Sequence, residues 1–163
     1  MTNFITLVII IPQMESLYFE DYKIGDEFVS PSRTVTEADV MLFAGLTGDY
    51  NPLHTDAEFA KTTMFKARVA HGLLGLSIGF GLFQRMGLMT TTALAYLGLS
   101  SWEFKAPIML GDTIRSKTKV IAKKETKKAD RGIVSFDMSI VNQRGEQVQR
   151  GEHTLLIAKK IVA

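Results

Sequence analysis

From Gly72 to Met86 the chain runs through a stretch in which only Arg85 is charged, and the residues around it leave no polar face. At 1.5 Å per residue, a helix of this length extends about 22 Å. A helix that is apolar nearly all round must be buried on every side, so the rest of the chain has to wrap it. Gly75 and Gly79, four residues apart, offer a smooth strip for close backbone packing.

The second half of the chain has the periodicity of a wrapping sheet. In Thr113 to Ala122, Ile114 and Val120 alternate with Arg115, Lys117 and Lys119, which suits one buried and one wet face. Val134, Phe136, Met138 and Ile140 repeat the pattern. With Leu94 to Phe104 before and Val148 to Ala158 after, these segments predict an antiparallel succession joined by turns such as Asn142 to Glu146. The predicted class is α+β, a single antiparallel sheet curled around one long apolar helix, which is the hotdog arrangement. A curled sheet keeps open edges, so a homodimer or higher homo-oligomer that continues the sheet is expected.

Composition bounds the rest. With 46% hydrophobic residues and a net charge of +2, the 163-residue chain suits one core-forming domain and gives little electrostatic case for nucleic acid. Zero cysteines exclude a disulfide framework, a thiolate metal site and a cysteine nucleophile, and suit a cytoplasmic setting. His54, His71 and His153 form no HExxH-type spacing, so no metal is expected. Residues 1–13 are set apart from the 14–163 domain because Ile5 to Ile11 is strongly apolar. That run is too short to span a bilayer, and no basic residue precedes it as in a secretory leader. It is expected to add a strand or be buried against another subunit, unless translation starts at Met14; intact mass separates these cases.

Thr36-Glu37-Ala38-Asp39 has the form of a capped helix start, with an apolar side from Val40, Phe43, Ala44 and Leu46 and an end near Gly48. Thr55-Asp56-Ala57-Glu58 repeats that capping pattern for a second short helix, and Phe65 to Val69 reads as extended. Between the two helices lies Gly48-Asp49-Tyr50-Asn51-Pro52-Leu53-His54, which joins a carboxylate, an imidazole and a backbone constraint. On a continuous helix Asp49 and His54 would lie on different faces. Pro52 opposes that helix and biases Asn51 toward an extended backbone, so a turn bringing both side chains into one cleft is predicted. Such a pair can hold a water, draw off its proton and return one to a substrate. The plain alternative is a capped turn with a buried polar pair. At the head of the apolar helix, the Gly72 N–H is free and sits at the positive end of the helix dipole, where an oxyanion is favoured.

The Gly48 to His54 segment, followed by Val69-Ala70-His71-Gly72, Phe104-Lys105-Ala106-Pro107 with Gly111-Asp112, and Val141 to Glu146, resembles the MaoC-like dehydratase family, which includes (R)-specific enoyl-CoA hydratases. The resemblance runs from about Tyr22 through Lys159. It implies that Asp49 and His54 are the catalytic pair and that the Gly72 amide donates to the thioester carbonyl. Asn51, His71 and Gly72 are the implied substrate contacts. The implied reaction is reversible hydration of a trans-2-enoyl-CoA to an (R)-3-hydroxyacyl-CoA, with coenzyme A as part of the substrate and no further cofactor, nucleic acid or membrane involved. Two alternatives stand beside it: thioester hydrolysis on the same scaffold, and a noncatalytic acyl-CoA-binding or regulatory protein. Residue by residue, plainer readings also stand. Asn51 and Tyr50 can simply shape the turn, and His71 can make a structural hydrogen bond. Lys123 to Gly132 can be a solvated hairpin tip instead of a phosphate contact, and Met86 and Met89 can fill the core instead of lining an acyl pocket. His153 is given no role.

Overall fold

Four long strands make the sheet in the computed structural model, which describes residues 15–160: β3 (Ala93–Phe104), β4 (Thr113–Glu125), β5 (Arg131–Val141) and β6 (Gln147–Ala158). The expectations for residues 1–13, including the run Ile5 to Ile11, lie outside the described residues. All pairings are antiparallel, and the order is β1-β4-β5-β6-β3, with β1 (Glu27–Val29) at one edge and β3 at the other. A further short strand, β2 (Arg33–Thr34), also pairs with β4. The sequence pattern did not signal β1 or β2, because two or three residues are too few for alternation to be read.

The alternation predicted for the second half is what the strands display. Ile114, Ser116, Thr118 and Val120 of β4 are buried, as are Val134, Phe136, Met138 and Ile140 of β5. The turn after β5 closes with Asn142 N–H donating to Glu146 O, and Gly145 supplies the left-handed residue at φ 80°. The charged Lys123 to Gly132 segment forms the largely exposed β4–β5 tip, as the solvated-hairpin reading has it.

Helix α4 (Gly72–Gln84) lies against the inner face of the sheet and buries Leu74, Ile78, Leu82 and Phe83. Its approach depends on missing side chains. A Cβ at Gly79 would stand 2.3 Å from Ile140 Cδ1, and one at Gly75 would stand 2.4 Å from Gln149 Nε2. Two expectations need correction. The helix ends at Gln84, before Met86, because the chain turns through Gly87 at φ 74°. Nor is it buried all round: Leu73, Ser77 and Gly81 form an exposed stripe. Residues at i, i+4 and i+8 share one side, and here that side faces away from the sheet.

Strand β3 is similarly uncovered. Leu94, Tyr96, Leu97 and Leu99 are all more than 40% exposed. No helix among the described residues is long and apolar enough to cross a membrane.

Candidate active site

Helix α1 (Glu37–Thr47) leads into the site. Thr36 accepts from the Asp39 amide while Asp39 accepts from the Thr36 amide, a reciprocal capping box that fixes the entry. Gly48 ends the helix in the left-handed conformation at φ 78°, its N–H donating to Ala44 O, and so turns the chain at Asp49.

The next turn differs from the sequence reading. Pro52 opens a one-turn helix, α2 (Pro52–Thr55), and His54 lies within it, whereas a nonhelical turn was expected. Proline opposes only the helix behind it; at the first helical position its missing N–H would be unpaired anyway. The Asn51 side chain accepts from the Leu53 amide at 2.9 Å and caps α2. Helix α3 (Ala57–Thr62) is capped by Asp56, one residue later than predicted, through Glu58 and Phe59 amides at 2.9 and 3.0 Å. Thr55 is diverted instead to the Tyr50 and Asn51 carbonyls. Phe65 to Val69 is irregular, not extended: Lys66 has φ 61°, and only Val69 pairs, with Met109.

The two site histidines are oriented by carbonyl groups, which can only accept. His54 Nδ1 lies 2.7 Å from Val69 O, so Nδ1 carries a hydrogen, and in the neutral imidazole Nε2 is the nitrogen with the lone pair. His71 Nε2 lies 2.9 Å from Asp49 O, so it carries the hydrogen and ties the base of α4 to the backbone of Asp49. The two imidazoles lie with centroids 3.9 Å apart and planes tilted by 34°, and the His71 ring also packs against Phe43. One polar atom from each of Asp49, His54 and His71 lies within 4.8 Å of the others. The Asp49 side chain is exposed, His54 is half-buried, and His71 is 2% exposed.

Ligand atoms this close could also hold a metal ion, although the carbonyls of Val69 and Asp49 each engage one nitrogen of His54 and His71. The arrangement suits a water held between a carboxylate and a ring nitrogen.

Gly72 completes the cluster. It is the first residue of α4, and its amide has no protein acceptor among the described residues. A Cβ here would meet the Phe104 ring at 2.8 Å, so only glycine leaves room for that ring. His54, Gly72 and Phe104 stand between two cavities. One, of about 390 Å³, is lined by Met64, Phe65, Ala106, Ile108 and Gln149 among others; the other, of about 360 Å³, reaches Asp49, His71 and Leu73. A larger hollow of about 660 Å³ lies elsewhere, beside Glu15 to Tyr18 and Thr90, Thr91. Its Lys160 and Asp21 are paired with each other, and it contains no imidazole.

Sequence reading thus named Asp49, His54, His71 and Gly72, and the fold brings all four together. Asn51 stands beside them as a cap, and its side chain lines neither cavity. The reading assigned no role to the Val69 carbonyl, which leaves no trace in residue identity, or to Gln149. A polar residue directly after Val148 inside a strand was the available hint for Gln149.

Comparison with known proteins follows the same line. Residues 21–140 match the MaoC like domain family. An (R)-specific enoyl-CoA hydratase of Rhodospirillum rubrum is 37% identical over 140 residues, covering 86% of this chain and 91% of the relative. A monoamine oxidase regulatory protein from Archaeoglobus superposes with a TM-score of 0.86 at 37% identity, covering 93% of this chain and 100% of that one. The unliganded R-hydratase PhaJ1 of Pseudomonas aeruginosa gives a TM-score of 0.74 at 30% identity, covering 91% of this chain and 92% of that one.

Proposed function

The chain belongs to the MaoC-like dehydratase family and is a lyase of the hydratase type, and from that premise we propose that it reversibly hydrates a trans-2-enoyl-CoA to the (R)-3-hydroxyacyl-CoA. The observation that carries this reading is the bond between His54 Nδ1 and the Val69 carbonyl. It leaves Nε2 outside that bond in a ring that has a nitrogen within 4.8 Å of an Asp49 carboxylate oxygen, at the mouth of a helix whose first amide has no acceptor among the described residues.

In the proposed reaction a water sits between Asp49 and His54. One of the pair removes a proton from the water as its oxygen bonds to C3 of the thioester. Electron density moves through C2 onto the carbonyl oxygen, which the Gly72 N–H stabilises. A proton delivered to C2 from the same pair completes the addition, and the reverse sequence dehydrates. His71 contributes by holding the Asp49 backbone, and its ring packs against that of His54.

The same reading extends to assembly. The exposed stripe of α4 and the uncovered edge strand β3 favour a second copy pairing along β3. Leu73 of that stripe also lines the Asp49 cavity, so the partner would close the site from that side.

Crotonyl-CoA tests the reaction. The ultraviolet absorbance of the conjugated thioester is expected to fall on adding the enzyme, with the (R)-alcohol as product and no free thiol released. Thiol release in place of hydration identifies a thioesterase. Tight binding without turnover of any enoyl-CoA identifies a noncatalytic protein, a reading for which the regulatory name of the Archaeoglobus relative speaks.

A further inference from the structure

Strand β6 breaks its alternation beside the site. Ile140 pairs with Gln149 but the adjacent Val141 pairs with Gln147, so Val148 is an extra residue, a β-bulge. As a result Val148 and Gln149 are both buried, although they are neighbours in a strand. The bulged Val148 carbonyl accepts from both the Lys105 and Ala106 amides, at 2.9 and 3.2 Å, and anchors the loop that walls the His54 cavity. Bulges beside active sites commonly re-aim a side chain, and this one turns Gln149 toward the helix.

The space for that side chain is prepared. Gly75 has no Cβ where one would meet Gln149 Nε2 at 2.4 Å. Within this notch Gln149 Nε2 donates to Gly72 O at 2.9 Å, and Gln149 Oε1 accepts from Trp102 Nε1 at 3.2 Å. Gln149 is 2% exposed and lines the same cavity wall as Ile108, where an unpaired amide would be costly. Both ends are satisfied, and one of them fixes the residue whose N–H faces the site.

Resting on the hydration reading above, we infer that Gln149 is a positioning residue: it locks the Gly72 backbone so that its amide meets the thioester carbonyl oxygen. The chain from Trp102 on β3 through Gln149 on β6 ends on the Gly72 carbonyl of α4, one peptide after the Gly72 N–H, and acts on that N–H through the Gly72 Cα. Gln149 acts through Gly72 and not on the reacting atoms.

The test uses Gln149→Met, which keeps the length and loses both hydrogen bonds, and Trp102→Phe, which removes the indole N–H that orients Gln149 while keeping an aromatic ring against the core. Small misplacements of a reacting group cost up to about 100-fold, so Gln149→Met is expected to lower kcat at least about tenfold. KM for crotonyl-CoA and the pH profile should stay within about twofold of wild type, because the acid/base pair is untouched. Trp102→Phe should lower kcat in the same sense but by less. A second readout is the infrared carbonyl stretch of crotonyl-CoA labelled with carbon-13 at C1, bound in a His54→Ala background to stop turnover. A well-placed donor lowers that frequency, and adding Gln149→Met should move it back toward the free value. Wild-type kcat in a folded Gln149→Met protein, with the carbonyl frequency still lowered, overturns the proposal. If Gln149→Met does not fold, wild-type kcat and frequency in Trp102→Phe overturn it. Absence of hydration by the wild-type protein instead defeats the hydratase reading, while the carbonyl frequency still reports on Gln149 and Gly72.

Discussion

The two ends of helix α4 each meet a histidine, and the two imidazoles have opposite surroundings. At the N-terminal end His54 is half-buried, has one nitrogen bonded to the Val69 carbonyl, and stands at the junction of two cavities. At the C-terminal end His153 is fully buried, neither nitrogen has a hydrogen-bond partner among the described residues, and Phe136 stacks on it with centroids 5.0 Å apart. Phe80 and Phe83 of α4 pack edge-on against the same ring. Burial drives the His153 pKa down to about 3. The same side chain serves as a candidate proton carrier where one nitrogen is held and the other is open, and as an aromatic filler where both are dry. What its nitrogens face decides its chemistry.

The largest expected effect lies at the wet end. Loss of a positioned acid/base group costs roughly 10²–10⁴-fold, so His54→Ala should lower kcat for crotonyl-CoA by about 10³ with little change in thermal stability. Equal activity in the variant would erase the distinction between the two histidines.

Next comes the packing between the ends. At Gly79→Ala the new methyl meets Ile140 Cδ1 and Cγ1 in a core with no slack. Overpacking of this kind costs about 1–3 kcal/mol, measurable as a lower urea midpoint. Unchanged stability would show that the helix can lift from the sheet without loss.

The dry end gives a pH signature. Above pH 6.5 both folded and unfolded His153 are neutral and cost nothing. Below it the unfolded chain takes up a proton that the native site refuses until about pH 3, so stability falls as the pH drops through that window. From pH 7 to 5 this amounts to about 2 kcal/mol, approaching roughly 1.4 kcal/mol per pH unit well below 6.5. His153→Phe keeps an aromatic ring and should remove that part of the loss in denaturant titrations at pH 7 and pH 5. A wild-type slope in the variant would mean that His153 takes up its proton in the native state.

The smallest effect tests how local the wet end is. Thr36→Ala removes the cap that starts α1, some distance before Asp49, and should cost about 1 kcal/mol in stability while leaving kcat unchanged.

The contrast also shows what a sequence makes legible. The β4 and β5 alternation, the Thr36 cap and the Gly145 turn are local patterns, and they were readable because each depends on neighbours a few residues apart. The Asp49 to His54 cluster was readable through its constraint and family resemblance, although the short helix holding His54 was not. Three features stayed hidden because they depend on register between strands, on residues distant in the chain, or on backbone atoms. The bulge that turns Gln149 inward is a matter of register with β5, the aromatic surroundings of His153 combine residues from three other elements, and the Val69 carbonyl that sets the His54 tautomer is backbone. The exposed stripe of α4 was hidden too, since an apolar residue looks the same whether its own chain or another covers it.

The central claim is that Asp49 and His54 act together on one water. Measuring kcat/KM for crotonyl-CoA in Asp49→Asn, His54→Ala and the double variant tests it directly. Groups that act as a unit are strongly non-additive, so the double variant should be no slower than the worse single variant by more than a few-fold. Losses that multiply, with the double variant slower by the product of the single effects, would contradict a shared water and assign the two residues separate tasks.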